Sequence, residues 1–137
     1  MPKITFPFTF IGKTKLGKIF RPYAIVEIFS SKRNKWQPVE MVIDTGADYC
    51  LFPKRYAEIF GIDIQKDCEA EKTLGVGGTE TVYQYKALPI RIGSWQKTVP
   101  IGFLRRDGIP PLLGRLGCIE IFRLIFEAKE SILEFHE

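Results

Sequence analysis

Met41-Val42-Ile43-Asp44-Thr45-Gly46-Ala47-Asp48 is the stretch around which this chain is organised. Three apolar residues run into a carboxylate, a small hydroxyl residue and a glycine, and an alanine and a second acid follow. A short apolar run rich in β-branched residues reads as a buried strand. Asp44 is therefore expected on a rigid element in low-dielectric surroundings. Burial disfavours an ionised carboxyl, which is an ordinary route to a chemically useful one. Gly46 removes a side chain where another backbone or a ligand must come close. The triplet alone is weak, because turns are rich in Asp and Gly, and a strand ending in an Asx turn explains it as well.

Two further stretches change the balance. Pro111-Leu112-Leu113-Gly114-Arg115 repeats the pattern of an apolar strand running into glycine, now followed by a cation. Between the two lies Gly75-Val76-Gly77-Gly78, separating two strand-like segments over residues 73–85. A phosphate-cradling loop is rejected there, since no Gly-Lys-Ser/Thr occurs and no helix follows. Three glycines around one apolar residue exceed what a tight turn needs and permit hinge motion.

Asp44-Thr45-Gly46-Ala47 after an apolar run resembles the active-site signature of the retropepsin-like (retroviral-type) aspartic proteases. Leu112-Leu113-Gly114-Arg115 is similar to the family's segment that crosses beneath the active-site loop. The resemblance implies an all-β, closed β-barrel domain over residues 1–137, with one or two short helices, assembled as a homodimer. It implies that Asp44 is catalytic, that Thr45 and Gly46 build the active-site loop, and that Thr45 bonds across to the partner loop. Gly75, Val76 and Gly77 would form a flap closing over a polypeptide substrate, with Ala47 and Asp48 also contacting it. Gly114 and Arg115 would support the site, Arg115 through an ion pair with Asp48 worth about 3–5 kcal/mol if deeply buried. Pepsin-like relatives often carry a hydroxyl at the Ala47 position; its absence removes a hydrogen bond that favours the charged carboxylate, implying activity at weakly acidic to near-neutral pH. No cofactor and no metal are expected.

The chemistry reaches the same assembly by another route. Peptide hydrolysis by carboxyls needs one charged to activate water and one protonated to polarise the scissile carbonyl. Two carboxyls about 3 Å apart share a proton and titrate as a pair. Of the five aspartates (Asp44, Asp48, Asp63, Asp67, Asp107), only Asp44 stands in the Asp-Thr-Gly frame. One chain supplies half a site, and a two-fold axis sets the same residue opposite itself.

With 137 residues the chain suffices for one domain with a modest core. Its 45% apolar and 26% charged residues suit a globular protein. No run is long enough to cross a bilayer, and the N-terminus lacks the layout of a secretion signal. Cys50, Cys68 and Cys118 are an odd, sparse set without metal-ligand spacing, and the one histidine is His136. A reducing cytoplasm is therefore expected. Charge is uneven: residues 1–35 hold eight Lys or Arg against one acid, and residues 120–137 hold five Glu against two bases. Nucleic-acid binding by the basic end lacks a recognisable motif, so no nucleic-acid or membrane partner is expected. A third account has the two ends meeting across a dimer interface. Two other readings stay open: a catalytically silent peptide-binding or dimerisation module, and a basic nucleic-acid-binding β-domain whose binding would survive Asp44→Asn.

In order, residues 4–10 read as an edge strand because of Pro7, and residues 12–17 as a basic connector. Residues 20–29 and 36–43 form a hairpin delivering Asp44, and residues 49–52 a short strand. Pro53 opens a helix ending at Gly61. Residues 62–69 read as an exposed connection, 88–92 and 98–104 as strands, 105–108 as a charged turn and 112–114 as a strand. Leu116, Ile119 and Phe122 suggest a short helix, weakened by Gly117. Residues 124–126 and 132–135 close the chain around a polar turn.

Overall fold

The computed structural model describes residues 2–75 and 77–135. The expectations placed on Val76 and His136 lie outside them. Twelve strands, two short helices and one 3-10 turn follow one another in the described residues. The strands are β1 (Lys3–Pro7), β2 (Thr9–Thr14), β3 (Gly17–Arg21), β4 (Tyr23–Ser30), β5 (Lys35–Ile43) and β6 (Cys50–Pro53). Helices α1 (Arg55–Phe60) and α2 (Ile64–Asp67) precede β7 (Glu69–Gly75), β8 (Gly78–Ile92), β9 (Trp95–Leu104) and β10 (Leu112–Leu113). The 3-10 turn Ile119–Ile121 leads into β11 (Arg123–Glu127) and β12 (Glu130–Glu134).

The main sheet runs β4-β5-β10-β6-β9-β8-β7, and β4 also pairs with β8, so six of its strands return on themselves. Alternation explains the enclosure. Ala24, Val26 and Ile28 of β4 and Val39, Met41 and Ile43 of β5 turn inward, as do Leu88, Ile90 and Ile92 of β8. Phe52, Phe60 and Phe103 meet at edge or tilted angles, with Phe52 and Phe60 5.1 Å apart. That contact seats α1 on the sheet, helped by the Ser30 hydroxyl donating to the Ile59 carbonyl at 2.6 Å. Gly61 ends the helix at φ 79°, and a Cβ there would press on Lys32 N at 2.7 Å. The expected hairpin of β4 and β5, the short strand after the loop, the helix stop and the C-terminal hairpin are all present.

Several expectations need correction. Residues 12–17 are the tip of a β2–β3 ribbon rather than a connector, closed by the Thr14 hydroxyl accepting from Leu16 N and donating to the Gly17 carbonyl. The first strand breaks at Phe8, whose N–H turns to the Lys129 carbonyl at 2.7 Å. The next breaks at Pro22, which has no donor for a ladder. Pro53 does not begin the helix: it completes the β6–β9 ladder opposite Leu104, and the helix starts beyond Lys54. The connection after Gly61 holds α2, capped by the Asp63 carboxylate accepting from Gln65 N and Lys66 N. Strand β8 spans what reads as two strands, absorbing the irregularity as a register shift between Tyr85 and Leu88. Beyond Arg115 only a 3-10 turn forms, because Gly117 adopts φ 66°.

The charged ends meet within one chain. Strand β1 pairs with β12, which pairs with β11, leaving β1 at an edge as expected. Lys129 Nζ stands 4.3 Å from the Phe20 ring centroid.

Where β4 meets β8, Glu27 faces Arg91 directly. Arg91 Nε and Nη2 donate to the two Glu27 oxygens at 3.1 and 2.9 Å, and the guanidinium covers the Trp36 ring. The hydrogen bonds from Arg91 hold the Glu27 carboxyl below its ordinary value of 4.5. A depressed carboxyl contributes stability above its unfolded value, lost as pH falls through the folded one. Wild type should therefore exceed Glu27→Gln in urea midpoint at neutral pH, with the gap closing as pH drops below about 4.5. An unchanging gap in a pH series of urea titrations would contradict this.

Candidate active site

The end of β5 is gripped from both sides. Val42 N donates to the Pro111 carbonyl at 2.9 Å, Ile43 N to Pro22 at 2.9 Å and Asp44 N to Leu113 at 3.0 Å. Leu112 and Leu113 run parallel to Val42 and Ile43, so the two apolar segments lie side by side. The loop then closes on its own carboxyl: Gly46 N donates to Asp44 Oδ1 at 2.9 Å and Ala47 N to the Asp44 carbonyl at 3.2 Å. Asp44 is half-buried, Thr45 and Gly46 are exposed, and Ala47 is buried. The carboxyl thus sits at a rim in the single chain, not in the dry interior expected from the strand. The strand is enclosed, but the loop emerges from it.

Gly114 and Arg115 cross directly under that loop. Arg115 N donates to the Ala47 carbonyl at 3.0 Å and Leu116 N to Asp48 at 2.8 Å. Gly114 N points at Cys50 Sγ at 3.3 Å. Cys50 and Cys118 are both free and buried, and hydrogen bonding to Cys50 together with burial pushes the Cys118 thiol above its ordinary range. Arg115 Nη1 donates to the Thr45 carbonyl at 2.7 Å and Nη2 to Asp48 Oδ1 at 2.8 Å. The expected Asp48–Arg115 pair is therefore formed, but not buried: the side chains are 73% and 43% exposed. Water screens such a pair, and its worth to the single chain is about 0–1 kcal/mol, well below the figure for a deep one. Arg115→Met should thus cost roughly 1 kcal/mol or less in urea unfolding. A loss of several kcal/mol would mean that the pair is shielded in solution.

A groove of about 720 Å³ opens beside the loop. Gly46, Ala47 and Asp48 line one part, Leu51, Leu104 and Leu112 give it an apolar wall, and Thr73 and residues 77–81 bring in the β7–β8 hairpin. Gly75 pairs with Gly78 at the hairpin's end, so the glycine-rich stretch does connect two strands. Three groove residues escape the sequence reading. Glu80 and Arg106 form an ion pair at 2.9 Å, and Arg105 Nε donates to the Tyr83 hydroxyl at 2.7 Å. Residues 105–108 read only as a charged turn, because nothing local places them against the hairpin. Their position follows from β9 pairing with β8.

Across residues 29–115 the sequence matches the family model described as Aspartyl protease. That span is more than half of the chain and contains both the Asp44 loop and the Gly114-Arg115 crossing. The chain belongs to the aspartyl protease family. Its fold is shared with a retropepsin-like aspartic protease from Rickettsia conorii, at a TM-score of 0.67 and 21% identity over 97% of this chain and 99% of that one. No curated protein matches it. For an aspartyl protease the fate of the other aspartates matters. Asp48 is engaged by Arg115, Asp63 caps α2, Asp67 Oδ2 accepts from Asp63 N at 2.9 Å, and Asp107 faces Arg55 at 3.4 Å. Each is committed to a contact of its own. Among the described residues no three His, Cys, Asp or Glu side chains converge as a metal site. No described helix is long and apolar enough to cross a membrane.

Proposed function

We propose that the chain is a homodimeric aspartic endopeptidase in which each subunit contributes Asp44. The observation that carries this reading is the Asp44-Thr45-Gly46 loop itself, held on β5 and β10, crossed by Gly114-Arg115 and reaching the groove at Gly46. Placed opposite its copy, Asp44 shares one proton with its partner. The charged carboxyl takes a proton from water, which attacks the peptide carbonyl, while the protonated one donates to the carbonyl oxygen. Thr45 bonds to the partner loop. Gly75 and Gly77 belong to the flap over a polypeptide, Ala47 and Asp48 touch it, and Gly114 and Arg115 brace the loop.

The subunit is read as one domain over residues 1–137. One continuous core and the return pairing of β4 to β8 support reading it as a closed β-barrel. Three free cysteines, two of them buried, support a reducing cytoplasm as its setting.

The test compares wild type with Asp44→Asn on a diverse peptide mixture from acidic to neutral pH, with a statine-type inhibitor alongside. Cleavage should fall roughly 10²- to 10⁴-fold in the variant and stop with the inhibitor. Equal cleavage by both proteins, or none by wild type at any pH, would overturn the reading.

A further inference from the structure

We propose that Glu80 and Arg106 are positioning residues whose ion pair sets how the β7–β8 hairpin stands against the groove wall. The inference rests on reading the groove as the peptide site. Strand β8 pairs with β9 from Ile92 opposite Trp95 as far as Val82 opposite Leu104, and there the ladder stops. From that point the hairpin's arms are paired only with each other, Thr73 opposite Glu80 and Lys72 opposite Thr81. An isolated two-stranded ribbon has little stability of its own in water. What fixes its angle must act where it leaves the sheet.

The same register carried two residues further would set Glu80 opposite Arg106. Residues two apart along a strand share a face, so Glu80 follows Val82 on one side of β8, and Arg106 lies just past the end of β9. Their side chains meet at 2.9 Å, so a charged rung replaces the missing backbone rung. Arg105, which also lines the groove, donates to the Tyr83 hydroxyl at 2.7 Å and ties the start of the turn to β8. The turn carrying both arginines is itself anchored, because Arg55 Nη1 donates to the Asp107 carbonyl at 3.1 Å and lies 3.4 Å from its carboxylate. A mechanical line thus runs from α1 through Asp107 and Arg106 to Glu80. Both members of the pair line the groove, so a change in hairpin angle changes the groove's width.

Hydrogen exchange on the full chain carrying Asp44→Asn tests this without reference to activity. Glu80→Gln and Arg106→Gln should each speed exchange of the hairpin amides over 77–81 by about two- to fivefold. The exchanged pair, Glu80→Arg with Arg106→Glu, should return them near the parent rate. Salt near 1 M, where screening acts over about 3 Å, should narrow the difference between parent and single variants. In the Asp44 protein the single variants should lower kcat/KM and the exchanged pair restore it. Unchanged exchange in the single variants, or an exchanged pair no slower than either, would overturn the proposal. Absent cleavage by the Asp44 protein would instead count against the peptidase reading and leave the exchange result to decide this one.

Discussion

Gly114→Ala is expected to lower the melting temperature by about 10 °C or more, or to prevent soluble expression, while Gly108→Ala leaves it unchanged. The reason is space, not backbone conformation. A Cβ on Gly114 would collide with the carbonyl carbon and oxygen of Tyr49 and lie 2.9 Å from Cys50 N. All three are backbone atoms at the start of β6, so no rotamer change relieves the clash. The crossing segment cannot lift away cheaply either. Arg115 N and Leu116 N are bonded to the Ala47 and Asp48 carbonyls, and Gly114 accepts from Ile119 N at 3.2 Å. Separating the strands would break these bonds, at about 0.5–1.5 kcal/mol each. Overpacking adds a similar amount. A total near 3 kcal/mol or above corresponds to the stated shift for a chain of this length. A Cβ on Gly108 would meet nothing within 4 Å, and the residue lies in an open turn, which makes it the matched control. Calorimetry on both variants decides the matter, and a Gly114→Ala protein melting like wild type would mean that the crossing is looser than these contacts imply.

The sequence carried the site further than it carried the outline of the fold, and the difference has a physical origin. Asp44-Thr45-Gly46 and Leu112-Leu113-Gly114-Arg115 are each local statements: an apolar strand, then residues that only a tight approach requires. Their meeting as parallel neighbours, Leu112 beside Val42, is the consequence. The hairpin around the glycines was legible for the same reason, since β-strand alternation and turn residues lie close together in sequence. What stayed hidden depends on distant pairing. Residues 12–17 read as a connector because lysines and glycines interrupt their apolar residues, yet they form the tip of a ribbon in which Phe10 and Phe20 pack at 5.3 Å once the strands meet. The exposure of the Asp48–Arg115 pair could not be read from two residue types sixty-seven positions apart. Arg106 acquires meaning only when β9 lies against β8, and Pro53 becomes the end of a strand only because Leu104 waits opposite.

Wild type incubated with about a ninefold excess of the Asp44→Asn protein is expected to lose about tenfold in peptide cleavage per wild-type subunit. The expectation follows from the fate of the carboxylates within one chain. Asp48, Asp63, Asp67 and Asp107 are held by Arg115, by the first turn of α2, by Asp63 N and by Arg55. None of the four is hydrogen-bonded to Asp44, whose carboxylate accepts from Gly46 N, whereas Thr45 and Gly46 lie exposed around it, where a second copy of the loop can approach. In a two-fold pair every wild-type subunit must find another wild-type subunit, and random exchange allows that about one time in ten at this ratio. A mixed dimer keeps one ionisable carboxyl, which cannot be charged base and protonated acid at once. Dilution supplies an independent arm: activity per subunit should fall as concentration passes below the dissociation constant, because mass action splits the site in half. An unrelated protein in the same excess should do nothing. Should activity per wild-type subunit hold steady against both the excess and the dilution, the site would be complete within a single chain, and the second acid would have to come from another carboxyl of that chain, aspartate or glutamate.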